Sequence, residues 1–86
     1  MSVFIGDQIL SVLRENAFES QARQLEKLFA ELNSDDQQLR SNAAEEIIGR
    51  CHIRAYGDLN IRTLNGWVWN TMLEKLGKYA RQKSRQ

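Results

Sequence analysis

No proline occurs anywhere in the 86 residues. The strongest helix breaker is therefore absent, and long stretches are built from the good helix formers Leu, Ala, Glu, Gln, Lys and Arg. The chain is expected to be all-α, a small bundle of three to four helices forming one domain over residues 1–86. A domain of this length buries only about 60–65% of the surface its unfolded chain exposes, which leaves a thin stability margin. The usual staples are missing: the single Cys51 cannot close an internal disulfide, and one histidine with one cysteine cannot complete a structural zinc site. No metal and no cofactor is expected. Stability must come from packing, and self-association into a homodimer or larger species is the expected way to extend it. The opening stretch MSVFIGDQILSVLREN lacks a basic leader region, and no run approaches the roughly 18 apolar residues of a membrane span. The chain reads as soluble and cytoplasmic, with no membrane partner.

In the first third, Ile9, Leu10, Leu13 and Ala17 follow helical spacing, and so do Phe18, Ala22, Leu25, Leu28, Phe29 and Leu32. On a wheel of about 100° per residue the first stripe centres near about 225° and the second near about 340°. A straight helix would bury one stripe and expose the other, so a kink or short break is expected at Asn16–Ser20. Two start signals follow. Ser34 with Gln37 forms a capping box, preceded by Asn33, and Asn42 is followed by Glu45 and Glu46. The next helix is expected to begin near Asp35 or near Ala43, with acidic residues in its first turn. Its stripe Leu39, Ala43, Ala44, Ile47, Ile48, Cys51, Ala55 points to an end at Tyr56, with Gly57 as C-cap.

The stretch GDLNIRTLNGWVWNTM, residues 57–72, admits two readings. A tight turn at Asn65–Gly66 makes a hairpin, but that pairs Arg62 with Trp69 and leaves an isolated ribbon, which is marginal in water. A helix from Leu64 or Gly66 to about Arg81, capped by Thr63 or Asn65, gathers Val68, Trp69, Met72, Leu73, Leu76, Tyr79 and Ala80 on one arc, and this reading is preferred. It makes Trp69 core and puts Trp67 on the far side with Asn70, Glu74 and Arg81. Those four residues are the candidate partner-binding set. The competing reading folds the 57–63 loop, with Leu59 and Ile61, back over Trp67.

Chemistry-bearing motifs are few. Cys51 and His52 are adjacent, and neighbours on a helix point about 100° apart, so the pair suits a core thiol and a solvent-side imidazole better than a nucleophile and its base. The pairs Asp35/Asp36 and Glu45/Glu46 are explained by helix N-termini, and no calcium loop or phosphate cradle accompanies them. No catalytic residues are assigned, and the chain is not expected to be an enzyme. Charge is unevenly spread: residues 1–49 carry four basic and nine acidic side chains, a net −5, whereas residues 50–86 carry eight basic and two acidic, a net +6. The halves can attract one another, within the fold or across a dimer, or the basic half can meet an anionic partner. Arg50, Arg54, Arg62, Lys75, Lys78, Arg81, Lys83 and Arg85 are the candidate nucleic-acid-binding residues. Residues 82–86 are expected to form a frayed basic tail, dispensable for folding. A helix-turn-helix over residues 43–81 fits poorly, because the Tyr56–Thr63 link is long and Trp67, Val68 and Trp69 stand where base-reading polar side chains are wanted.

The expected function is non-catalytic protein–protein binding, as a small regulator, adaptor or inhibitor of a larger protein. The size and plainness match accessory proteins of bacteria and phages, by analogy only. A nucleic-acid-binding regulator using the basic half is the alternative.

Overall fold

The two out-of-phase stripes of the first third lie on two separate helices. The computed structural model describes residues 4–52 and 55–85. Among them are helices α1 (Ile5–Glu15), α2 (Glu19–Leu32), α3 (Gln37–Arg50) and α4 (Gly66–Ser84), a 3-10 turn at Tyr56–Asp58, and no strand. The helices pack against one another as a small all-α bundle. α1 buries Ile9, Leu10 and Leu13, and α2 buries Ala22, Leu25, Leu28, Phe29 and Leu32. Between them Ala17 holds φ 66°, the left-handed region. The amide of Phe18 donates to Leu13 O at 2.8 Å and that of Ala17 to Arg14 O at 3.2 Å. This is the Schellman closure of a helix, with alanine where glycine is usual. At the start of α1, Gly6 lies under the Phe4 ring, and a Cβ there would also come within 2.8 Å of Phe29 Cε2. Phe4 in turn packs edge-on against Phe29 and tilted against Tyr79, joining α1, α2 and α4.

α3 begins near Asp35, the first of the two expected starts, but its cap is a different residue. Its N-cap is Asp36, whose Oδ1 accepts from the Gln38 and Leu39 amides, while Ser34 Oγ accepts from the Asp36 amide instead of capping the helix. Asn42 is no cap either, because its Oδ1 accepts from Gln38 Nε2 one turn back at 3.0 Å. As a result Glu45 and Glu46 lie in mid-helix, not in a first turn. The helix also stops at Arg50, short of Tyr56. Gly57 therefore sits inside the 3-10 turn and caps nothing, and Ala55 is exposed. The turn places Tyr56 between three elements: its hydroxyl donates to Gln21 O of α2 at 3.2 Å, and its carbonyl accepts from Trp69 Nε1 of α4 at 2.8 Å. Burying the indole N–H with a partner is what lets Trp69 be core.

α4 begins as the preferred reading has it, with Asn65 Oδ1 accepting from the Val68 amide at 2.8 Å, and it buries Trp69, Leu73, Leu76 and Ala80. It continues three residues past Arg81, to Ser84, with Lys83 and Ser84 half-buried. α3 and α4 run antiparallel: Arg40 near the start of α3 shares a hollow with Lys83, and Cys51 at its end shares one with Leu73 and Gly77. No helix among the described residues is long and apolar enough to cross a membrane.

Candidate functional site

Two residues along a helix correspond to about 200° of rotation, so the cap at Asn65 sends Trp69 inward and Trp67 outward. Trp69 is 1% exposed and Trp67 is 78% exposed. The 57–65 loop does not cover Trp67. Its apolar residues Leu59, Ile61 and Leu64 pack on the main core instead, and the loop is tied to the α1–α2 corner by Asn16. The Asn16 amide donates to Thr63 Oγ1 at 3.0 Å and to Val12 O at 2.8 Å, and its oxygen accepts from the Arg62 amide at 2.7 Å. Held at that corner, the loop leaves the start of α4 bare.

Trp67, Asn70, Glu74 and Arg81 lie along one side of α4. Asn70 is half-buried, with its amide donating to Gly66 O at 2.8 Å, and Glu74 and Arg81 are exposed. The sequence reading missed Gly77, which completes the same row. A glycine inside a helix carries a propensity cost of about 1 kcal/mol, and its spacing from Asn70 and Glu74 was the signal that could have found it. Beside Gly77 the α3–α4 interface opens into a groove of about 300 Å³, floored by Ile48, Cys51 and Leu73 and rimmed by Glu74, Lys78 and Arg81. A Cβ on Gly77 would meet nothing closer than Cys51 Cβ at 4.0 Å.

Burial pushes the Cys51 thiol up to about 12, the direction opposite to that of an activated nucleophile. His52 is exposed at the edge of the same groove. Of the acidic pairs, Asp36 is consumed as a cap and Glu46 pairs with Arg50 at 3.5 Å. Among the described residues no three His, Cys, Asp or Glu side chains form a group that could hold a metal ion.

Among the described residues the basic side chains do not form one surface. Lys75, Lys78, Arg81 and Arg85 are exposed on α4. Lys83 turns toward Leu32, Asp35 and Arg40 at the opposite edge of the helix. Arg50 lies in the α2–α3 cleft with Gln24, Lys27 and Glu31, and Arg62 sits by the α1–α2 corner near Glu15 and Phe18. Arg54 lies outside the described residues. Compared with known proteins, the chain matches no family model, no curated protein and no solved structure.

Proposed function

We propose that this chain is a non-catalytic protein-binding module, a small cytoplasmic regulator, adaptor or inhibitor that also associates with itself, and that the outer face of α4 around Trp67 is its contact surface. The observation that carries this reading is the 78% exposure of Trp67. A bare indole costs solubility unless something covers it, and tryptophan is enriched among the residues that dominate protein–protein binding energy. Asn70 one turn on, with Glu74 and Arg81 further along the same side of α4, supplies the polar flank such a contact needs. Affinity capture from the native host tests the reading. The wild-type chain should recover a protein that Trp67→Ala does not, and recovery of identical sets by both would sink it.

A second reading, nucleic-acid binding, draws support from Lys75, Lys78, Arg81 and Arg85 sharing the exposed side of α4. The scatter of Arg50, Arg62 and Lys83 over other faces weighs against it. Titrating salt against nonspecific duplex separates the two, since phosphate contacts impose a steep salt slope and a protein-only binder has no affinity to lose.

A further inference from the structure

We propose that the occupant of the Trp67 face is a second copy of this chain, docked about a two-fold axis with the two α4 helices antiparallel, so that each indole fills the other protomer's α3–α4 groove above Gly77. This rests on the protein-binding reading above and names the partner.

Trp67, Asn70, Glu74, Gly77 and Arg81 are separated by three, four, three and four residues, the spacing that keeps one seam of a helix facing a neighbouring helix. The first four of these positions are complementary when read in reverse. With the axis beside residue 72, Trp67 stands opposite the partner's Gly77 and Asn70 opposite the partner's Glu74, and each contact occurs twice. The largest side chain meets the position with none, at a groove of about 300 Å³ that no side chain among the described residues fills. Lys78 and Arg81 on the rim are placed to lie against the indole face, a cation–π arrangement. The Asn70 amide spends one N–H on Gly66 O, which leaves the second for the partner's Glu74 carboxylate.

The basic side chains stay apart in this register: at about 1.5 Å per residue the two Lys78 start about 18 Å apart along the helices and the two Arg81 about 27 Å apart, beyond the Debye length of about 8 Å in physiological salt. The two Glu74 start only about 6 Å apart along the helices, a repulsion that the partner's Asn70 amide opposite each carboxylate must offset. A parallel pairing would instead stack Trp67 on Trp67, Gly77 on Gly77 and Arg81 on Arg81, leaving a void at one layer and like charges at another. The seam is thus self-complementary in the antiparallel sense, and a two-fold axis across it closes an isologous dimer.

Sedimentation equilibrium on the full chain tests this with two variants. Wild type should be a dimer in the micromolar range. Trp67→Ala removes the knob and Gly77→Leu fills the groove, so each alone should be a monomer with wild-type helical content by circular dichroism. Mixed in equal amounts they should form a heterodimer, because one end then sets an intact Trp67 over an intact Gly77 and the other sets the alanine against the leucine. Should Gly77→Leu fail to fold, Gly77→Ala serves in its place: the helix gains from alanine, so its melting temperature should hold or rise while association weakens several-fold. A monomeric wild type, either variant associating as wild type does, or a mixture that stays monomeric would overturn the proposal. If wild type is monomeric yet host capture still depends on Trp67, the second copy falls and the protein-binding reading stands. If capture is also unchanged by Trp67→Ala, both fall.

Discussion

Truncating Trp69 to alanine removes the largest fully buried side chain among the described residues and one of the two donors to the Tyr56 carbonyl, the other being the Leu59 amide. The expected loss is about 3–5 kcal/mol. The same change at Trp67, two residues earlier, removes a side chain standing in water and should alter monomer stability by no more than about 0.5 kcal/mol. Chemical denaturation of dilute protein measures both, and equal losses would show that Trp67 is packed. Cys51 gives a residue-scale prediction of another kind. Its thiol is pushed up to about 12 by burial, so the fold favours the protonated form over the unfolded chain's ordinary value near 9. The contribution is fully present below about pH 9 and is lost as pH rises toward about 12. Stability of Cys51→Ala should fall less steeply across that window than stability of wild type. Identical slopes would mean that the thiol is open to water.

At the scale of elements, the α1–α2 corner is where the chain stores backbone strain. Ala17 at φ 66° carries roughly 1–2 kcal/mol relative to a right-handed conformation. Glycine removes that cost but loses more freedom on folding, so Ala17→Gly should stabilise by a net of about 0.5–1 kcal/mol. A lowered urea midpoint for the variant would show that the corner is held in another way. The break itself was readable, because two stripes about one residue out of phase cannot both be buried on one straight helix. Its Schellman geometry was not, since the residue in the left-handed position is neither glycine nor asparagine. The cap of α3 was misassigned for a related reason. Ser34, Asp36 and Asn42 all carry cap chemistry, and the choice among them turned on which side-chain oxygen found a competing partner, Asp36 N for Ser34 and Gln38 Nε2 for Asn42.

Across the whole molecule, Asn16 joins positions far apart in sequence, since its side chain holds Arg62 and Thr63 against the first corner. Asn16→Ala should cost about 1–2 kcal/mol and speed amide exchange at Arg62. Unchanged protection there would mean that Leu59, Ile61 and Leu64 fix the loop by packing alone. This long-range tie also bears on function, because a loop held at that corner cannot cover Trp67. The all-helical class, the break near Ala17, a cap at Thr63 or Asn65 and, on the helical reading, the opposite directions of Trp67 and Trp69 were legible in the chain. All four follow from propensity, capping and the 3.6-residue period, which act over one or two turns. Packing alone settled that α3 ends at Arg50, that Tyr56 bridges α2 and α4, that the described basic residues divide among separate faces, and that Gly77 opens a groove on the seam that begins at Trp67. Those outcomes depend on which helices lie side by side and where a loop docks, and contacts between distant positions, not local preference, settle both.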